Sequence, residues 1–251
     1  MLKKRIIPTL LYNNFKLVKG IKFHSWRTVG SIMQAVKIYN IREVDELILL
    51  DVFATNNNKK IDLDLVNEVA NECFMPLTFG GGINTIDDIA KIIKTGADKV
   101  SINSMAVNNI EFVNKASKMF GSQCIVISID YKIENGIPVI YSNSGNKKTQ
   151  LKLENYLKDL EDAGAGEILL TCIDRDGVME GYDIETIKKA CKISSLPIIA
   201  SGGCGEEIHA YDLIEKTDVS AVCAASMYHF THITPLNLKR YLNNKKIPIR
   251  I

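Results

Sequence analysis

Four aspartates close or follow apolar runs that read as β-strands. Asp51 ends "ELILLD", Asp130 ends "CIVISID", and "DRDG" puts Asp174 and Asp176 just beyond "EILLTC". A carboxylate at the end of a buried strand is partly desolvated, which raises its pKa towards general-acid use. For Asp51 and Asp174, capping of a loop is an equal alternative; Asp130 reads as the functional one. Two glycine clusters accompany them: Gly80–Gly82, and Gly202 and Gly203 with Gly205. Glycines permit close backbone approach, and N–H groups so presented favour an anion. The plainer alternative is that they only permit tight turns.

The elements that must position these residues alternate regularly. Short β-branched or apolar runs ("RIIPTL", "ELILLD", "PLTF", "DKVSI", "CIVISID", "EILLTC", "PIIA", "SAVCAA") are separated by stretches with apolar spacing near 3.6, such as "IDDIAKIIKTGA" and "YLKDLEDAGAG". Gly96 follows the first of these as a helix C-terminal cap. Eight such units in 251 residues predict a single (β/α)8 barrel, with a doubly wound sheet as the alternative.

An internal repeat favours closure. "MPLTFGGGI" from Met75 resembles "LPIIASGGCG" from Leu196, 121 residues later. "DELILLD" pairs with "GEILLTC" at the same offset, and "SINSMAV" with "VCAASMY" within one residue of it. The chain therefore reads as one domain made of two half-barrels, roughly residues 1–121 and 122–251. In such barrels the site lies on the loops after the strands. Each half then supplies a glycine cluster after its third strand and a small polar pair after its fourth: Asn103 and Ser104, then Ala225 and Ser226. Two related anion sites across one mouth suit a ligand with a phosphate at each end.

Totals narrow the function classes. A net charge of +2 gives no electrostatic reason to expect nucleic acid or a membrane surface as partner. No apolar run approaches the roughly 20 residues of a membrane span, and no signal-peptide pattern opens the chain, so a cytoplasmic location is expected. The six cysteines form no C-x-x-C pair and read as reduced, mostly buried thiols; neither a metal nor another cofactor is expected.

These residues carry a family resemblance. "KRIIP", "VKG", "FGGGI", "GADKVSIN", "FGSQCIV", "GAGEILLT", "DRDG", "GYD" and "ASGG" together resemble, nearly end to end, the synthase (cyclase) subunit of imidazole glycerol phosphate synthase from histidine biosynthesis. The resemblance implies a two-phosphate barrel, with a separate glutaminase docked at its base and ammonia passing through to the top. It implies phosphate or substrate contacts from Lys19, Gly82, Asn103, Ser104, Asp176, Gly177, Gly203, Ala225 and Ser226. It further implies an ammonia gate of Arg5, Glu46, Lys99 and Glu167, and a glutaminase-facing surface that includes Asp98 and Gln123. A stabilising charge layer is the plainer reading of the quartet.

One position departs from the pattern. After "KRIIP" the family has Cys-Leu-Asp, whose aspartate is one of two catalytic carboxylates; here Thr9, Leu10 and Leu11 follow, and the first acid in the chain is Glu43. Asp130 matches the other carboxylate. Loss of one general acid–base group typically costs about 10²–10⁴ in rate. The expectation is a specialised relative that still takes ammonia from a glutaminase but serves another acceptor, as in acetamido-to-acetamidino conversion of bacterial surface sugars with a separate amidotransferase. The alternatives are the ordinary synthase, with Asp130 acting alone or with Asp176, and a non-catalytic ammonia conduit. The segment after strand one, with Gly20 and Gly30 as hinges, is expected to be a loop serving as a lid.

Overall fold

The computed structural model describes residues 2–250. Twelve strands belong to one sheet. They are β1 (Arg5–Asn13), β2 (Lys16–Ile21), β3 (His24–Ser31), β4 (Leu47–Asp51), β5 (Leu77–Gly80), β6 (Lys99–Ile102), β7 (Ile125–Glu134), β8 (Ile137–Ser142), β9 (Lys147–Lys152), β10 (Glu167–Cys172), β11 (Ile198–Ser201) and β12 (Ala221–Ala224). Eight of these, β1, β4, β5, β6, β7, β10, β11 and β12, pair in parallel in that order, and the parallel pairing of β12 with β1 closes the ring. The result is a (β/α)8 barrel, with all eight expected strands present.

Alternation along the strands sorts residues between two cores. On β1, Ile6, Leu10 and Tyr12 pack outward beneath the helices, while Ile7 joins Ile48, Val126, Leu169, Ile199, Ala221 and Cys223 in a separate cluster inside the barrel. Continuing that alternation, Arg5, Ile7, Thr9 and Leu11 form one inward row from the base of the barrel to its mouth. The outer layer consists of amphipathic helices such as Ile86–Thr95, Leu153–Asp162 and Pro235–Asn244. Thr85 starts the first of these through a capping box with Asp88, and Gly96, at φ 123°, ends it. Among the described residues, no helix is long and apolar enough to cross a membrane.

The remaining four strands lie outside the eight expected ones, and two of them replace the loop expected after strand one. β2 runs antiparallel to β1 and β3 to β2, so the segment after the first barrel strand is a ribbon. β8 and β9 extend β7 in the same way. The mostly exposed residues of β3 and β9 explain why an apolar-run criterion passes over them: they bury little and are held by ladder hydrogen bonds. All six cysteines are free thiols; three are buried and three half-buried.

Candidate active site

The strands carry their last inward residues to one cavity at the barrel mouth. It is lined by Leu11, Gly82, Asn103, Ser104, Asp130, Asp176, Gly177, Gly203, Ala225 and Ser226, so these residues meet from both ends of the chain. Lys19 stands behind them: its ammonium, buried on β2, donates to Asp176 Oδ2 at 2.6 Å. Thr9, Ser101, Ser128, Thr171, Ser201 and Cys223 also line the cavity. They are the inward small polar positions of six strands, which residue type alone does not distinguish from core serines and threonines.

Asp130 ends the inward row of β7. Asn103 Nδ2 donates to its Oδ2 at 3.1 Å, and Ser128 Oγ to its Oδ1 at 3.3 Å. Burial pushes its carboxyl up to about 7; the Ser128 hydrogen bond opposes this and the charge of Asp176 adds to it. Such a group exchanges a proton readily at neutral pH. Leu11, 7% exposed, occupies the β1 position lining the same cavity. A leucine there neither holds a proton nor orients water. Asp51 is a loop cap, accepting from the backbone of Phe53 and Ala54, each at 3.0 Å. Asp174 accepts from Ile133 N at 2.7 Å and ties the β7–β8 ribbon to the loop after β10.

The glycine clusters repeat one geometry. A Cβ on Gly81 (φ 108°) would lie 2.3 Å from Asp51 O, and one on Gly202 (φ 92°) 2.6 Å from Cys172 O. In each cluster one glycine, Gly81 or Gly202, thus lets its loop cross the end of the neighbouring strand, which satisfies the tight-turn reading and also brings the backbone to the cavity.

The first ribbon lies over the mouth. Phe23 and Trp26 line the cavity. Trp26 meets Phe53 edge-on at 5.5 Å, Arg27 stacks on Phe230 at 4.0 Å, and Lys22 N donates to Asp176 O at 2.7 Å. The turn of the second ribbon closes the other side: Asn143 N donates to Ser104 Oγ at 3.0 Å, and Ser144 Oγ to Val52 O at 2.8 Å.

At the opposite end the charged quartet forms a ring. Arg5 bridges Glu46, at 2.6 Å, and Glu167; Lys99 bridges the same two acids at 2.9 and 3.1 Å. Burial opposes each charge, yet the opposite neighbours prevail: Glu46 is held below the usual carboxylate range and Lys99 above the usual lysine range. Asp98 and Gln123 are exposed at the starts of β6 and β7, on this same face; Asp98 Oδ2 accepts from Leu77 N at 2.8 Å.

A closed parallel barrel with a polar mouth, a buried carboxylate raised towards neutrality and a charged base defines a (β/α)8 barrel protein. The chain belongs to the histidine biosynthesis protein family, whose profile matches residues 5–234. It is 42% identical over 252 residues to imidazole glycerol phosphate synthase subunit HisF of Natranaerobius thermophilus, and 42% to the subunit of that name from Hydrogenobaculum sp., with all of each chain covered. It is 41% identical to that of Staphylococcus carnosus, over 99% of that protein.

Proposed function

We propose that this chain is the ammonia-receiving barrel subunit of a glutamine-dependent enzyme of the imidazole glycerol phosphate synthase type. In this reading a glutaminase docks on the face bearing Asp98 and Gln123. Ammonia enters through the ring of Arg5, Glu46, Lys99 and Glu167, and crosses the apolar interior of Ile7, Ile48, Val126, Leu169 and Ile199. A phosphorylated ligand sits at the mouth beside Asp130. Full-length similarity to three subunits of that name supports the class, and the continuous inward row from Arg5 to Leu11 supports the route. Neutral ammonia, unlike ammonium, carries no charge into that apolar layer.

Leu11 carries the reading of the acceptor. With a leucine where a second proton-transfer group would stand, Asp130 has no carboxylate partner from β1, and the ring-closing chemistry of the ordinary synthase lacks half its acid–base pair. The acceptor then differs: an acetamido group of a bacterial surface sugar, converted to an acetamidino group with a separate amidotransferase. The ordinary synthase is the second reading, and the relatives' names support it more directly than they support sugar amidation. It requires Asp130 to work alone or with Asp176, which lines the same cavity.

The test is cyclisation of the histidine-pathway intermediate with excess ammonium, beside an ordinary subunit. Turnover lower by about 10² or more, from folded protein that binds glutaminase, is expected. Near-normal turnover that disappears in Asp130→Asn establishes the ordinary synthase instead. Asp98→Ala is expected to weaken glutaminase binding in calorimetry, and unchanged affinity removes that surface from the interface.

A further inference from the structure

Two facing walls of the mouth differ in chemistry. In the closed order of eight strands β1 and β7 stand opposite each other. Leu11 and Asp130 both line the cavity, each one inward step above Thr9 and Ser128 and two above Ile7 and Val126 of the interior cluster. They therefore face each other at one level. The wall around β7 is polar, with Asn103, Ser128, Asp130 and Thr171. The wall around β1 is apolar: Leu11 lies beside Leu50 in the register of β1 with β4, and Phe23, Trp26 and Val52 complete it. Polar groups on this side are turned elsewhere. Asp51 accepts from Phe53 N and Ala54 N and pairs with Lys59 at 3.5 Å, while the Thr9 hydroxyl pairs with the Cys223 thiol.

Two glycines seat the aromatic rings of this wall. A Cβ on Gly20 would lie 3.0 Å from Trp26 Cε3, and one on Gly145 3.0 Å from Phe23 Cδ2. Both rings thus rest on backbone at the cavity. Phe23, Trp26, Leu50 and Val52 are only half-buried, so the wall keeps apolar surface uncovered. A charged or hydroxyl group set against it gives up hydration and gains no hydrogen bond in return. A methyl group instead gains about fourfold in affinity from burial. On the facing wall Asp130 accepts a hydrogen bond when ionised and donates one when protonated. The interior of an eight-stranded barrel is just wide enough for side chains, so one small ligand group seated there reaches both walls.

We propose that the mouth selects its ligand by an acylamido group, whose methyl is taken up by Leu11, Leu50, Val52, Phe23 and Trp26 and whose amide meets Asp130. Leu11 is then a specificity residue, the centre of an apolar niche, and not only the loss of an acid. This rests on the reading of the mouth as a phosphorylated-ligand site and deepens it, by naming the group that is recognised and the side chains that recognise it. A ligand with a hydroxyl or a charge in place of the acyl methyl is discriminated against at Leu11.

The experiment is calorimetric titration of the full chain with N-formyl- and N-acetylglucosamine 6-phosphate, which differ by one methyl, beside inorganic phosphate. The acetyl compound is expected to bind about fourfold tighter than the formyl one, and Leu11→Asn to reduce that ratio below about twofold. Emission of Trp26, the single tryptophan, is expected to shift further to the blue with the acetyl compound. Melting curves verify that the variant folds, and a structure of the acetyl complex locates the methyl without any variant. Equal affinities for the two sugars, or a preference that survives Leu11→Asn, overturn the niche and leave the phosphorylated-ligand reading intact. Binding of inorganic phosphate but of neither sugar does the same. Binding of none of the three overturns both.

Discussion

The Lys19 ammonium donates to Asp176 Oδ2 at 2.6 Å, joining a ribbon that grows out of β1 to the loop after β10, on the other side of the mouth. Both side chains are withdrawn from solvent. Removing one partner of a buried pair strands the other's charge, at about 3–5 kcal/mol. Lys19→Met is therefore expected to lower the urea midpoint strongly. Lys19→Met with Asp176→Leu is expected to recover most of the loss, because no unpaired charge remains. Additive losses in the double variant contradict this account.

Trp26, the single tryptophan, reports the position of the same ribbon. Its edge contact with Phe53, 5.5 Å between centroids, is worth about 0.5–1.5 kcal/mol beyond the area it buries. Phe53→Ala is expected to shift Trp26 emission to the red while far-UV circular dichroism stays constant. An unshifted spectrum places the ribbon's hold elsewhere.

Asp130 gives a pH dependence of definite sign. Its folded-state pKa of about 7 lies above its ordinary value of 3.8. Between these values the folded chain binds more protons than the unfolded chain, so this residue makes stability fall as pH rises. Asp130→Asn removes the effect. The variant's advantage in melting temperature is expected to widen from about pH 5 to about pH 7 and to level off above that. A constant difference across the range means that Asp130 is not raised.

The basal ring has the opposite acid dependence. Glu46 is depressed by Arg5 and Lys99, so its contribution is present above the ordinary carboxylate pKa and is lost as pH falls through its lowered value. Lys99, raised by Glu167 and Glu46, keeps its contribution below the ordinary lysine pKa and loses it only as pH rises through its raised value. The ring is thus complete at neutral pH. Glu46→Gln is expected to cost ~1–3 kcal/mol there, reduced from the fully buried case because Arg5 and Lys99 are partly solvated. That cost is expected to shrink as pH falls through the lowered Glu46 value; denaturant midpoints along an acid pH series measure it.

Much of this is local and therefore readable in the chain itself. Apolar runs such as "EILLTC" mark buried strands because both faces of a barrel strand are covered, and β10 spans those same six residues. The repeat at 121 residues places related loops at one mouth, and the absence of an acid before Glu43 is a plain fact of the sequence. The ribbons are not legible this way, because β3 and β9 bury little and their pairing depends on partners supplied by the fold. Nor is the state of each polar group. Ser104 and Ser226 occupy equivalent places in the repeat, yet one is engaged by the turn at Asn143 and the other has no partner among the described residues. Asp130 is raised by burial that strands from both halves create together. Residue types and their order determined which groups reach the mouth; hydrogen bonding and desolvation, which exist only once distant segments meet, decided what each group there is free to do.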